Sequence, residues 1–284
     1  VDCGKKDTIS ATLAHLLQTG NTRSVTIFVT GTCMENISII GFDHLLLQAA
    51  PIATLQDASN STAAVVTIFS SYDVIVQNFT INGGAFGVNC AGDSYCTLNL
   101  NKIQQAGVNG VRFSRSHGAL QSNNILNNAG PGVVLQNGSN VFADSNQITN
   151  NSAQGIVVLS DSYLFATSDT IENNSASGIR VIGNSVMRAG DLNISGNLSD
   201  GVRLESGAAA SFEGGNVITG NAGNGLAIHD LAFASFFSDG SDNVSGNQGQ
   251  PDVACYLQFS ATRGAGAVGG TTNCNEPSSP AEKK

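Results

Sequence analysis

Arg203 follows Arg180, and His229 follows Glu205, at close to the interval by which the whole chain repeats. In such a chain these four residues share one outward face. Arg180 and Arg203 fall on adjacent turns, Arg203 and Glu205 lie two apart on one strand, and His229 stands one turn beyond Glu205. The set suits chemistry on a uronic acid. Arg neutralises the sugar carboxylate through a bidentate pair and so acidifies the neighbouring C–H. A neutral His moves a proton near neutral pH, and Glu205 orients His229 or binds a hydroxyl. The same residues also make an ordinary surface ion pair beside an exposed His. Val157, Leu159 and Ile182 in the same patch suit contact with a protein or cover by a loop.

A second group comprises Asp93, Tyr95, Arg112, Arg115 and His117. Repeat alignment sets Asp93 beside Ser116, near both Arg115 and His117, with Tyr95 as a phenolic acid or a stacking surface. Glycoside hydrolysis needs two suitably separated carboxylates. No outward column offers such a pair, which favours lyase or epimerase chemistry over hydrolysis. No cofactor or metal is expected. There is no Cys-x-x-Cys, and the histidines at 15, 44, 117 and 229 are scattered. Asp161, Asp200, Asp230, Asp239 and Asp242 are single turn acids, whereas calcium wants about six to eight converging oxygens. With no Trp, stacking platforms for sugars are scarce.

A repeat positions these residues. Ile125-Leu126-Asn127-Asn128 precedes Gly132-Val133-Val134, and the phrase returns at Ile148, Ile171, Ile194 and Ile218. Gly132, Gly155, Gly178, Gly201 and Gly225 advance by near-equal steps, and Gly110 and Gly87 continue the series backwards. A period of roughly 23 residues signals a solenoid. Each unit holds short apolar runs, rich in Val and Ile and separated by Asn, Gly and Ser. That is the pattern of short strands joined by turns. The expected fold is all-β: a parallel β-helix of about ten coils, each of roughly 22–24 residues.

Two columns give the stack its cohesion. Asn128, Asn151, Asn174, Asn197, Asn221 and Asn247 share a turn position, where Asn tolerates left-handed geometry and its amide both donates and accepts. The repeat glycines suit a positive φ. Ser139, Ser162, Ser185, Ala208 and Ala232, followed by Val141, Leu164, Met187, Ala210 and Ala234, point inward with strand period.

The open ends need covers. Thr8 to Gln18 places Ile9, Leu13, Leu16 and Leu17 on one helical face, with Thr8 as N-cap and Gly20 as stop, an amphipathic capping helix. A single domain is expected over 1–275, with an N-terminal cap at 1–23, coils over 24–252 and a C-terminal cap at 253–275, then a flexible tail at 276–284. Residues 41–72 show weaker periodicity. The six cysteines allow 15 pairings, of which the nearest-neighbour set is Cys3–Cys33, Cys90–Cys96 and Cys255–Cys274. Val1-Asp2-Cys3 reads like a mature N-terminus after cleavage. Together these point to a secreted, periplasmic or cell-surface protein. Nine Asn-x-Ser/Thr sequons, begun by a residue type that occurs 30 times, are in part by-products of the repeat.

Composition narrows the partners. A formal net charge of -9 from 12 Lys+Arg and 21 Asp+Glu argues against nucleic acid. No apolar stretch reaches the roughly 20 residues of a membrane span.

The Ile-x-x-Asn…Gly-(Val/Ile) phrase between 81 and 247, with Val74 to Asn82 upstream, resembles the right-handed parallel β-helix proteins of the pectin lyase-like superfamily. Its flavour is closest to bacterial secreted repeat proteins. The resemblance implies polysaccharide lyases, glycoside hydrolases, uronate epimerases, tailspikes and adhesins. The Asp-Pro-His-Asp of mannuronan epimerases and the paired Asp with Arg-x-Lys of polygalacturonases do not occur here. The expectation is therefore a protein that binds glycan or another protein through its elongated face. The alternative is a polysaccharide lyase or uronate epimerase acting on an acidic polysaccharide, and a second alternative is a periplasmic accessory protein.

Overall fold

Short Val- and Ile-rich runs cannot bury both faces alone, but stacked at one register they can. The computed structural model describes residues 1–237, 241–256, 261–263 and 270–274, and within them the chain winds as a parallel β-helix. A typical coil carries three strands, such as Val133–Gln136, Asn140–Asp144 and Gln147–Thr149. The first strand of each coil builds a ten-stranded parallel sheet, here the short sheet, from Ile37–Ile40 to Val253–Cys255. The other strands join in an 18-stranded sheet, the long sheet. Val133, Ile156, Ile179, Val202, Leu226 and Val253 pair successively, and all are buried.

The asparagine column is a buried ladder. Asn174 Oδ1 accepts from Asn151 N and Nδ2, while its own Nδ2 donates to Asn197 Oδ1 and to the Ile148 carbonyl. The left-handed geometry expected of these asparagines falls one residue earlier, at Asn127, Asn150, Asn173, Gly196, Gly220 and Gly246. In the Asn-Asn pairs the first residue makes the turn and the second makes the ladder. The repeat glycines also differ from expectation, since Gly110, Gly132, Gly155, Gly178, Gly201 and Gly225 all lack positive φ. Space is the reason. A Cβ on Gly155 would lie 2.5 Å from Ile171 Cγ2 and 2.6 Å from the Gly178 carbonyl.

A second ladder, unforeseen from the sequence, runs through Asn101, Asn123, Asn146 and Asp169, each accepting the backbone N–H of the rung before. The inward serines are a third. Ser139 N donates to Ser162 Oγ and Ser162 N to Ser185 Oγ.

The helix Ile9–Gln18 covers the first coil, with Thr8 capping it and Gly20 in left-handed geometry beyond it. Glu35 accepts the N–H groups of Ile9 and Ser10 at 2.8 and 2.9 Å, a carboxylate at the positive helix end. Ile9 and Leu13 are buried, whereas Leu17, expected on the same face, is 45% exposed. The three disulfides are Cys3–Cys33, Cys90–Cys96 and Cys255–Cys274. Cys90–Cys96 joins the two sheets across one corner. Periodicity weakens over 41–72 because the strand Asp43–Gln56 bulges. It pairs with Tyr72–Asn82 through Gln48↔Gln77 and then Ala53↔Phe79, so the longer strand holds extra positions between two fixed registers. At the other end Val253 N donates to the Thr271 carbonyl. The tail expected at 276–284 lies outside the described residues.

Candidate functional site

The outer face of the short sheet brings Arg180, Arg203, Glu205 and His229 together. Arg180 and Arg203 are direct partners on adjacent strands, as are Ile182 and Glu205. Glu205 takes both guanidiniums. Its Oε2 accepts Arg180 Nε and Nη2 at 2.7 and 2.6 Å, and its Oε1 accepts Arg203 Nε at 2.7 Å. Arg203 Nη1 also meets Asp200 Oδ2 at 3.4 Å. Two cations thus stand against two carboxylates, so the cluster is close to neutral. A guanidinium has more N–H donors than one carboxylate can occupy, which leaves donors for a ligand. Glu205 is only 8% exposed. Burial pushes its carboxyl up, but hydrogen bonds from Arg203 and Arg180 outweigh that and hold it below the usual value. The buried Ala227 and Val134 in the same outward column mark a recessed face.

His229 follows on the next rung, its N–H on the Leu204 carbonyl. Its imidazole lies flat beneath Tyr256, centroids 4.1 Å apart and planes 4° apart. Nε2 is buried with no hydrogen-bond partner among the described residues. A ring face attracts an imidazolium by about 0.5–1 kcal/mol at an exposed site. Leaving a buried charged N–H unpaired costs more, about 1–3 kcal/mol or above. The neutral form wins, and burial together with the Arg203 charge lowers the His229 pKa from its ordinary value. Tyr256 donates its hydroxyl to Asn224 Oδ1 at 2.5 Å, and Asn224 N donates to Asp200 Oδ1 at 2.9 Å. Asp200, Asn224 and Tyr256 were not legible as members of the cluster. A longer turn separates Tyr256 from His229 and breaks the regular count of the repeat.

The second group does not converge. Arg112 belongs to the short sheet, where it donates to Asn89 Oδ1 at 2.9 Å and lies 4.1 Å over the Phe86 ring. Tyr95 and His117 pair with each other on the long sheet. Asp93 and Arg115 form an exposed pair at 3.5 Å. Ser94, not Asp93, is the rung below Ser116. The pairing of Tyr95 with His117 makes this coil one position shorter than its neighbour, so alignment at the usual period slipped by one. Aromatics are also less scarce outside than expected. Tyr72 and Tyr95 stand on the long sheet 5.9 Å apart, and Phe142 and Phe165 5.4 Å apart.

Among the described residues, the metal-ligand types that gather closely are Cys3, Cys33 and Glu35, and that cysteine pair is already a disulfide. A cavity of about 760 Å³ lies between the capping helix and the strand Arg23–Met34, remote from both groups.

Similar solved structures share this architecture at low identity. The A-module of mannuronan C-5 epimerase AlgE4 of Azotobacter vinelandii is 13% identical with a TM-score of 0.64, covering 90% of this chain and 89% of that one. The periplasmic alginate epimerase AlgG is 12% identical at 0.55, covering 85% and 72%. Pectate lyase Pel9A is 10% identical at 0.58, covering 83% and 69%. No curated protein sequence matches. The family described as "Right handed beta helix region" matches residues 27–176, more than half of the chain. With its coil architecture and this match, the chain belongs to the right-handed β-helix family.

Proposed function

We propose that this protein acts on an acidic polysaccharide as a uronate lyase or epimerase, outside the cytoplasm, through the outer face of its short sheet. The observation that carries the reading is the two guanidiniums held side by side by Glu205, one rung from a neutral imidazole. A uronate carboxylate bound by the spare Arg180 and Arg203 donors has its C5–H acidified. His229 is a base of suitable strength to take that proton. Returning a proton to the opposite face gives epimerisation, and expelling the C4 substituent gives elimination. The alginate epimerases and the pectate lyase that share the fold act on polymers of this class, which supports the choice over binding alone. Three disulfides in one chain support an oxidising compartment.

The test is incubation of the full chain with polymannuronate, polyguluronate and polygalacturonate. Elimination is read by ultraviolet absorbance of the unsaturated product. Epimerisation is read by exchange of the C5 proton in deuterated water. Turnover of one polymer, lost in Arg203→Ala and in His229→Ala, is the expected result. Silence on all three, or turnover that survives both substitutions, ends the reading. The paired Tyr72 and Tyr95 favour a second one, glycan held on the long sheet without catalysis, and it predicts retention on an immobilised polymer without turnover.

A further inference from the structure

Tyr256 stands one residue past Cys255, at the end of the last strand of the short sheet, and its backbone N–H donates to the Ile228 carbonyl. The side chain is fixed at both ends. The Cys255–Cys274 disulfide anchors its root, and Asn224 Oδ1 takes the hydroxyl at 2.5 Å. Asn224 is itself fixed, donating Nδ2 to the Pro251 carbonyl at 2.6 Å and its backbone N–H to Asp200. Between these two anchors the phenol ring spans the His229 imidazole in parallel contact and covers it. A chain of hydrogen bonds therefore runs from Arg180 through Glu205, Arg203, Asp200 and Asn224 to Tyr256, and from there to His229 by the ring stack alone.

We infer that Tyr256 is a positioning residue for His229: its ring fixes the imidazole plane, seals Nε2 from water and leaves Nδ1 as the nitrogen that meets a ligand. The inference rests on the proton-transfer role given to His229 above. The charged groups facing His229 are Arg203 and Glu205 on the preceding strand, with Asp200 and Asp230 in the flanking turns. The three carboxylates favour an imidazolium, and Arg203 disfavours it. Uncovering Nε2 to water removes the obstacle to protonation that the three acids cannot overcome while it is sealed. Tyr256 itself is 52% exposed, so truncating it leaves the core untouched.

The experiment is a histidine NMR titration of the full chain without substrate, His229 being assigned by its disappearance in His229→Gln. In the wild type His229 titrates below the ordinary histidine value of about 6.5. Tyr256→Ala is expected to move it up toward that value, and Tyr256→Phe, which keeps the ring, to leave it low. A purely structural role for Tyr256 predicts loss of stability with no such split between Ala and Phe. Where a polymer is turned over, Tyr256→Ala also shifts the acidic limb of the kcat/KM profile by the same interval, through kcat more than KM. An unmoved His229 titration in Tyr256→Ala overturns the inference whatever the activity. If that variant does not fold, a Tyr256→Phe titration at the ordinary value overturns it instead. A moved titration in a protein that turns over none of the polymers overturns the proposed function and leaves His229 without the catalytic role.

Discussion

Asp169 occupies a rung of an asparagine ladder and accepts, on Oδ1 alone, both the backbone N–H and the side-chain amide of Asn146, at 2.7 and 2.8 Å. Its Oδ2 is buried without a partner among the described residues. The rungs before it show what that atom replaces. Asn101, Asn123 and Asn146 each turn an amide N–H onto a carbonyl of the preceding coil, of Val76, Leu98 and Leu120. A carboxylate has no hydrogen to give there, whereas a protonated acid does. The next rung is the apolar Leu192, which offers Asp169 no side-chain partner before the ladder resumes at Asn216 and Asp242.

Burial, with a smaller push from Asp144, raises the Asp169 carboxyl from 3.8 to about 7, against the opposing pull of the Asn146 hydrogen bonds. The folded chain thus binds this proton more tightly than the unfolded chain does. The stability it contributes is complete below about pH 4, is lost as pH rises to about 7, and is flat beyond. Asp169→Asn supplies the amide hydrogen at every pH. Urea midpoints at acid and mildly alkaline pH check it. The variant is expected to match the wild type at the acid end and exceed it by a few kcal/mol at the alkaline end. An equal difference at both ends refutes the protonated form.

Asn174→Ala is expected to cost about 3 kcal/mol or more, because it strands Asn151 N–H in the core and takes the side-chain amide from the Ile148 carbonyl and from Asn197 Oδ1, which keeps only the backbone N–H of residue 174. Substituting the exposed Ser175 beside it changes little. A urea midpoint for Asn174→Ala within about 0.5 kcal/mol of the wild type contradicts the ladder's role.

Gly178→Ala tests the close-approach reading of the repeat glycines. The new methyl would lie 2.6 Å from Ile194 Cγ2 and 2.8 Å from the Gly201 carbonyl. Overpacking of that kind costs about 1–3 kcal/mol. At Gly138, whose Cβ position is open but whose φ is +73°, the same substitution costs through the backbone alone. Combining Gly178→Ala with Ile194→Leu, which removes the Cγ2 methyl that the new Cβ meets, should recover part of the loss; no recovery places the strain elsewhere.

Glu205→Gln leaves Arg180 and Arg203 on adjacent strands with their shared counter-charge gone. Thermal unfolding should show a loss of about 1–3 kcal/mol, the range for half-buried charged hydrogen bonds. In an Arg180→Met background the same change should cost less, since one of the two repelling charges is absent. Equal costs in both backgrounds deny the coupling.

The period of the solenoid, the asparagine column, the inward serines and the disulfide pairs could all be read from the chain. Each depends on residues recurring at one interval or lying close in sequence. The glycines show where that reading stops. Their recurrence was visible, but not whether a left-handed φ or a neighbouring Ile methyl demanded them, and the structure chose the methyl. Asp93 shows the same limit, since a one-residue change of step moved it off Ser116 and dispersed its group over both sheets.

Sequence alone settled that segments of roughly 22–24 residues stack in register, because a strand buried on one face tolerates no slip and therefore imprints its period. It also placed Arg180 beside Arg203. Only the tertiary structure could decide that Glu205 reaches back to hold both guanidiniums, or that Tyr256 caps His229. Side chains converge through rotamers and turns of irregular length, and neither leaves a repeating mark on the chain.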